Sequence, residues 1–151
     1  MVSLGKLDNI VALIFAANGE DCAIQTLTTF AEAAHYPASL WVSVSQKSPV
    51  HALVQVTGRF SLAVLSQRHI DTARRFLRPA TGHEAIRHVA TYETRLGFVL
   101  PRDSLASTGC EVTQAVDLHG HTMFFADIVE SYYDSRHSHV RQLLSSDLDV
   151  I

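Results

Sequence analysis

The sequence predicts a mostly β fold with short helices, arranged as a six-stranded antiparallel β-barrel. Six segments are predicted as strands because their apolar and polar residues alternate or because they are continuously apolar. They cover residues 10–17, 21–30, 38–45, 59–65, 108–117 and 121–131. Hairpin signals at Asn18-Gly19-Glu20 and Leu118-His119-Gly120 join the first two and the last two strands. A late hairpin of the second kind is suited to closing a barrel.

Length and composition favour a single globular domain over residues 1–151. A chain of 151 residues is large enough to bury a core without disulfides, and 47% of its residues are hydrophobic while 18% are charged. The net charge of -3 argues against nucleic acid or an anionic membrane surface as a main partner.

Cysteine usage and the N-terminus favour the cytoplasm. Two cysteines, Cys22 and Cys110, are too few for a disulfide framework, and burial as free thiols is the expected state. The longest apolar run, Ile10 to Ala17, is far too short to span a bilayer. We therefore expect no membrane association.

The stretch from Gln25 to Ser48 carries a candidate ligand surface. In its second strand Leu40, Val42 and Val44 share one face, which suits a core, while Trp41, Ser43 and Ser45 share the other. Rows of Thr and Ser on neighbouring strands offer room and hydrogen bonds to a flat polar ligand. The alternative is that these hydroxyls line an exposed sheet face without a ligand.

A helix is predicted directly after this stretch. Ser48 is a good N-cap, Pro49 suits the first helical position, and Gly58 ends the apolar stripe. The first turn of a helix presents N–H groups and partial positive charge, so it can hold a phosphate, and Lys47 lies at this end. Together these residues predict a nucleotide site.

The remaining chain gives weaker signals. Ser66 is predicted to cap a helix that runs to Phe76, and Thr81 to Glu84 resembles a capping box for a short helix over residues 82–90. No element is assigned between Thr91 and Ser107. Polarity rises from Tyr132 onward, with a short helix expected around His139 to Leu144.

Several motifs, taken in order, resemble those of one known family. They are TLTTF at 26–30, Pro37, LWVSVSQKS at 40–48, GRFSLAVLS at 58–66 with a helix ending in ARRF, Cys110-Glu111-Val112, and GHTMFF at 120–125. Their order and spacing resemble the flavin reductase-like domain, the FMN-binding split barrel, over roughly residues 9–131. The resemblance implies an antiparallel split barrel with Greek-key-like order, followed by a polar C-terminal tail over 132–151.

The resemblance also implies a set of site residues. Leu27, Thr28 and Thr29 lie beside the flavin ring, Ser43, Ser45 and Gln46 follow the ribityl chain, Lys47 and Ser48 face the phosphate, and His121 stands near the nicotinamide. Two positions depart from the family pattern: Ala23-Ile24-Gln25 replaces a segment that frequently has Asn, and Ala63 stands where the family has Asn. The aromatic strand and R-G-x-Y-like tail that often end such reductases are missing from the pattern.

The activity implied is NAD(P)H-dependent reduction of FMN or FAD, with His121 as the one catalytic candidate. Hydride passes directly between the cofactors, which agrees with the lack of a nucleophile elbow, P-loop or G-x-G-x-x-G motif. The family further implies a homodimer with flavin at its interface, and an oxygenase or another electron acceptor as partner. The alternatives are a non-catalytic FMN-binding electron carrier and an interaction domain without cofactor.

No metal site is expected from the nine histidines. His83 and His88 are five residues apart, and the pairs His119 with His121 and His137 with His139 lack a carboxylate or cysteine at ligand spacing. The identity of the flavin, the nicotinamide nucleotide and the acceptor stays open at the level of sequence.

Overall fold

The computed structural model describes residues 8–133 and 141–148, and ten strands and three α-helices lie within them. The strands are β1 Ala12–Asn18, β2 Asp21–Leu27, β3 Phe30–His35, β4 Ala38–Ser45, β5 Arg59–Val64, β6 Ala80–Thr81, β7 Thr91–Glu93, β8 Val99–Pro101, β9 Ala106–Leu118 and β10 His121–Tyr133. The helices are α1 Pro49–Thr57, α2 Ile70–Arg75 and α3 Gly82–Arg87, and 3-10 turns cover Gln67–His69 and Ser145–Leu148. None of these helices has the length and apolarity needed to cross a bilayer.

Eight strands form one antiparallel sheet in the order β3-β4-β10-β9-β5-β1-β2-β6, and β7 pairs with β8 in a separate ribbon. The sheet curls into an open barrel, because its edge strands β3 and β6 are not paired with each other within the described residues. The mostly β, antiparallel architecture is therefore confirmed, while the predicted number of six strands is wrong. The extra strands are β7 and β8 of the ribbon, β6, and β3, which shares only Phe30 with the predicted strand 21–30.

That predicted strand divides at Thr28-Thr29, and the reason is long-range hydrogen bonding. The backbone N–H of Thr26 donates to the carbonyl of Phe76 at 2.8 Å, and its hydroxyl donates to the carbonyl of Ala73 at 2.7 Å, which holds the end of β2 against α2. Two residues later the carbonyl of Thr29 accepts from the N–H of Ser43 at 2.9 Å. Within this short junction the chain therefore changes its pairing partner, from β1 for strand β2 to β4 for strand β3.

Local capping chemistry accounts for α1. The Ser48 side chain accepts from the N–H of Val50, Pro49 occupies the first helical position, and Gly58 adopts the left-handed conformation with φ of 68°. These three features of the prediction are confirmed. A side chain at residue 58 other than Gly or Asn would be strained in this conformation.

Two further helix starts were predicted, and one of them is confirmed. Ser66 does cap a helical segment, a 3-10 turn at Gln67–His69 that continues into α2. Thr81, in contrast, makes no capping hydrogen bond at α3, so the capping box predicted there is wrong. Its neighbour Gly82 has φ of 57°, which turns the chain away from the geometry that such a box needs.

Two clusters of buried residues lie on opposite faces of β1. One fills the barrel interior and includes Val50 and Val54 of α1, so the helix closes that end of the barrel. The other lies between β1, α2 and α3. Ala12, Ile14 and Ala16 face the first cluster and Val11, Leu13 and Phe15 the second, which explains why this segment is continuously apolar.

Residues 141–148 complete the second cluster. Leu143 is fully buried, and it accepts from the N–H of Val11 at 2.9 Å and donates to the carbonyl of Leu65 at 2.9 Å. The helix expected around His139 to Leu144 is not formed at 141–144, where the chain is extended, and its first two residues lie outside the described part of the chain. The paired backbone of Val11 and Leu65 favours the extended form there.

Candidate functional site

Three connections come together beside the end of the barrel that α1 closes. They are the β2–β3 junction, the turn from β4 into α1, and the β9–β10 hairpin. The predicted residues are distributed over these connections, so the structure brings together segments that are separated by up to a hundred positions in sequence.

Thr29 is bound to β4 at Ser43. Besides the backbone bond between these residues, the Thr29 hydroxyl donates to the Ser43 carbonyl at 2.8 Å. The hydroxyl proton is therefore used within the fold, and the oxygen lone pairs stay able to accept. Leu27 is buried at the end of β2, whereas Thr28 is half-buried. Of the three residues predicted beside the flavin ring, Leu27 is therefore part of the core, whereas Thr28 and Thr29 reach the surface.

The turn after β4 is held by backbone hydrogen bonds. The N–H of Gln46 donates to the carbonyl of Gly120 at 2.9 Å, which binds this turn to the β9–β10 hairpin. Within the turn, the N–H of Lys47 donates to the Ser45 hydroxyl at 3.2 Å, and the N–H of Ser48 donates to the Ser45 carbonyl at 3.0 Å. The side chains of Gln46 and Lys47 are exposed at the helix start.

Ser48 is buried, with 6% of its surface exposed. Its hydroxyl accepts from the N–H of Val50 at 3.1 Å and donates to the amide oxygen of Gln25 at 2.6 Å. Both functions of the hydroxyl are therefore used inside the protein. Gln25, one of the departures from the family pattern, thus supplies a polar contact between β2 and α1.

His121 begins β10 directly opposite Ser45 of β4. Its side chain is exposed, and the contact of its Nδ1 with the His119 carbonyl is long, at 3.5 Å. An imidazole in this position can reach a molecule lying on the neighbouring strand, and it is the residue nearest to Ser45 on β10.

The outer face of β4, β10 and β9 mixes apolar side chains with hydroxyls. Residues directly opposite each other in an antiparallel sheet share a face. On this face lie Trp41, Ser43 and Ser45 of β4, Phe125, Met123 and His121 of β10, and Val116 and Leu118 of β9. Val116 is 40% exposed and Leu118 is 53% exposed. Such a face suits either a flat ligand or an apolar partner surface.

The larger cavities lie elsewhere. One, of about 560 Å³, is lined mainly by apolar side chains, including Phe30, Leu40 and Leu62. Thr28 at its edge is the one lining residue from the predicted site. A second, of about 600 Å³, lies between the β1–β2 hairpin and α3, and no predicted site residue lines it.

Sequence reasoning missed a chain of hydrogen-bonded polar side chains beside this site. His51 of α1 and Thr122 of β10 are 7% and 2% exposed, and His51 Nε2 lies 2.7 Å from the Thr122 hydroxyl oxygen. The hydroxyl donates to a carboxylate oxygen of Asp117 on β9 at 2.7 Å. The available signal was that Thr122 falls on the inward face of β10, between the outward residues His121 and Met123.

The two cysteines are free thiols and lie outside the predicted site. Burial raises the pKa of the Cys110 thiol to about 11 and also raises the pKa of Cys22 above its ordinary value, so neither is an activated nucleophile. His88 pairs with Glu84 at 3.6 Å. Across residues 8–133 and 141–148, no group of three or more His, Cys, Asp or Glu side chains is placed to hold a metal ion.

Residues 4–144 match the model of the flavin reductase like domain. Among curated proteins, the chain is 26% identical over 126 residues to putative diflavin flavoprotein A 3 of Synechocystis sp., covering 82% of this chain and 21% of that protein. It is 24% identical over 128 residues to putative diflavin flavoprotein A 6 of Nostoc sp., covering 83% and 22%. The chain therefore spans about a fifth of the length of these curated relatives.

Solved structures with the same fold include reductases of flavin. An NADH:FAD oxidoreductase of Streptomyces globisporus has a TM-score of 0.85 and 17% identity, covering 95% of this chain and 85% of that one. The styrene monooxygenase flavin reductase of Pseudomonas putida S12 has a TM-score of 0.75 and 22% identity, covering 85% and 82%. These similarities confirm the split-barrel fold.

Proposed function

Because this chain belongs to the flavin reductase-like domain family, we propose that it reduces FMN or FAD with NADH or NADPH. The observation that carries the proposal is the position of His121 directly across from Ser45, beside the turn that leads into α1. His121, the side chain proposed to contact the nicotinamide, thus lies next to the hydroxyls of β4. These hydroxyls lead to Lys47 and the start of α1.

The flavin would lie along β4. Leu27, Thr28 and Thr29 would flank its ring, and Ser43, Ser45 and Gln46 would follow the ribityl chain. From Ser43 to Ser45 the strand advances roughly 7 Å at the usual rise per residue of an extended strand, and the turn after it carries Lys47, which gives an elongated site. The half-buried hydroxyls of Ser43 and Ser45 and the exposed Lys47 fit such a ligand.

The phosphate end would depend on Lys47 and the positive end of α1. Since the Ser48 hydroxyl is used by Val50 and Gln25, we assign Ser48 to shaping the helix start rather than to direct contact through its hydroxyl. Lys47, exposed at the same turn, supplies the charge.

His121 would orient the incoming nicotinamide. A bound flavin accepts hydride directly from the reduced nicotinamide, so the protein has to align two rings and needs no side-chain nucleophile. The exposure of the imidazole at the edge of the hydroxyl-bearing face supports this role.

A second copy of the chain is the proposed partner on the outer face. Val116 and Leu118, together with the half-buried Trp41, Met123 and Phe125, form a mixed apolar surface beside the flavin residues. Dimerisation there would place the flavin at the subunit interface. Leu118→Glu should shift the protein to monomer in sedimentation analysis and weaken flavin binding, whereas Leu96→Glu, on a remote exposed loop, should not.

Reduced flavin would pass to an oxygenase or another electron acceptor. The name of the Pseudomonas putida reductase associates this fold with a monooxygenase, and the curated relatives are named as diflavin flavoproteins. Either kind of acceptor agrees with a domain whose own part is flavin reduction.

Anaerobic titration tests the function. Purified protein is mixed with each combination of NADH or NADPH and FMN or FAD, and loss of nicotinamide absorbance is followed against protein concentration. A rate proportional to protein for one combination supports the reductase. Tight binding of flavin without oxidation of either nicotinamide would contradict it and would favour an electron carrier.

A further inference from the structure

The polar chain formed by the buried His51 and Thr122 and the exposed Asp117 has a fixed direction of hydrogen bonding. A threonine hydroxyl carries one proton, and here it donates to the Asp117 carboxylate at 2.7 Å. The contact of 2.7 Å between the Thr122 oxygen and His51 Nε2 must then be donated by the imidazole. The His51 tautomer with a proton on Nε2 is therefore selected by the exposed carboxylate, two hydrogen bonds away.

This chain crosses three elements that surround the candidate site. His51 belongs to the first turn of α1, Thr122 to β10 and Asp117 to β9, where Asp117 and Thr122 are directly opposite in the sheet. The His51 ring also packs on Phe124, with 5.4 Å between ring centroids. The end of α1 is thus bound to the β9–β10 hairpin by side chains as well as by the backbone bond from Gln46 to Gly120.

The position of Thr122 bears directly on His121. Successive side chains of a strand point to opposite faces, so the inward hydroxyl of Thr122 is accompanied by the outward imidazole of His121. Hydrogen bonds on both sides of Thr122 resist rotation of the strand about its own axis. Such rotation would carry His121 away from Ser45, its opposite residue on β4.

We propose that Thr122, Asp117 and His51 are positioning residues that hold His121 over the hydroxyl-bearing face of β4, and so set the affinity for the nicotinamide nucleotide. This inference rests on the proposed function, in which His121 contacts the nicotinamide. The three residues themselves touch neither cofactor. Their effect is exerted through His121.

A double-mutant cycle tests this inference. The variants are Thr122→Val, which keeps the shape but removes both hydrogen bonds, His121→Ala, and the two combined, each assayed with the nicotinamide and flavin that the wild-type protein uses. Thr122→Val should raise the KM for nicotinamide about fivefold, less than the loss of one whole contact of His121, because the imidazole is displaced rather than removed, and should change the flavin KM less than twofold. In the His121→Ala background the same substitution should add nothing.

Conservative and remote variants serve as controls. Thr122→Ser keeps the hydroxyl, so its KM for nicotinamide should lie within about twofold of wild type. Asp117→Ala removes only one of the two hydrogen bonds, so it should raise the same KM by less than Thr122→Val does. Glu111→Ala removes another exposed carboxylate of β9, roughly 20 Å along the strand, and should have no effect. Thermal unfolding of every variant separates loss of stability from a change in KM.

Three outcomes would overturn the inference. They are a Thr122→Val effect that is additive with His121→Ala, equal changes in the KM values for nicotinamide and flavin, and a loss of stability with both KM values unchanged. If Thr122→Val does not fold, Asp117→Ala replaces it in the same cycle. A wild-type protein that is inactive with every cofactor pair, or whose His121→Ala variant is unchanged, instead contradicts the proposed function, and the inference fails with it.

Discussion

The amide oxygen of Gln25 on β2 accepts a hydrogen bond from the hydroxyl of Ser48 at the start of α1, at 2.6 Å. This contact joins two of the segments that make up the candidate site. The same hydroxyl accepts from the N–H of Val50, so the geometry of the helix start depends on a single serine side chain. Changes at residue 48 therefore affect stability and ligand binding in separable ways.

Ser48→Ala should lower the free energy of unfolding by about 2 kcal/mol, because it removes the cap and leaves the Gln25 oxygen without its donor. For a chain of this length that corresponds to a fall in Tm of roughly 4–8 °C. Ser48→Asp keeps a capping oxygen but not the donor to Gln25, so it should recover only the part of the stability that the cap contributes. Its negative charge should weaken FMN binding about tenfold, an electrostatic penalty of about 1.4 kcal/mol, while leaving riboflavin binding nearly unchanged. Equal affinity of Ser48→Asp and wild type for FMN would show that the phosphate lies elsewhere.

His121→Ala should raise the KM for the nicotinamide nucleotide about tenfold, the equivalent of one lost hydrogen bond of about 1.4 kcal/mol. The KM for flavin should change much less, because the imidazole lies at the edge of the proposed flavin site. Since His121 is exposed, the Tm should be unaffected. His119→Asn is the matched control, as asparagine tolerates the positive φ of 51° at that position. An equal effect of His121→Ala on both KM values would contradict the assigned role.

Gly109→Ala should destabilise the protein by about 1–3 kcal/mol, the usual cost of overpacking. A Cβ at Gly109 would lie 2.5–2.8 Å from atoms of the Phe98 ring. That ring is 3% exposed and packs under the Arg59 guanidinium, at 4.0 Å from its centroid, so it has little room to move. Urea unfolding measures the effect. In a Phe98→Ala background Gly109→Ala should cost almost nothing, and a persistent cost would place the strain in the backbone instead.

The buried thiol of Cys110 makes stability depend on pH in the alkaline range. Burial raises its pKa from 9.0 to about 11, so the unfolded chain releases this proton at lower pH than the folded one. The contribution is fully present below about pH 9 and is lost between about pH 9 and 11, by about 1.4 kcal/mol per pH unit. Urea unfolding at pH 8 and pH 10 should show a larger decrease for wild type than for Cys110→Ala. Equal decreases would indicate that Cys110 is accessible to water in the folded state.

Features fixed by local chemistry were predictable from the sequence. Ser48, Pro49 and Gly58 define α1 through interactions within a few residues, and the Asn18-Gly19 and His119-Gly120 turns define two hairpins. The continuously apolar run at β1 correctly indicated a strand covered on both sides. The two faces of β4 also follow directly from alternation, with Leu40, Val42 and Val44 buried.

Features that depend on distant partners were not predictable. The junction at Thr28-Thr29 exists because Thr26 bonds to Ala73 and Phe76, nearly fifty residues away. The hydroxyl of Ser48 looked available for phosphate, yet its partner Gln25 lies in another strand. The contact of His51 with Thr122 joins residues 71 positions apart. No periodicity or spacing rule reports such pairs, so the resemblance could propose site residues but not the contacts that support them.

The insertion of Leu143 between Val11 and Leu65 bears on the order of events during protein synthesis. Domains generally fold as units while the ribosome delivers the chain at roughly 5–20 residues per second. The barrel cluster draws its residues from positions 12–126, so it can assemble while later codons are still being read. The second cluster, between β1, α2 and α3, cannot be completed before Leu143 and Leu148 have been synthesised. Until then the face of β1 that belongs to this cluster stays accessible to chaperones.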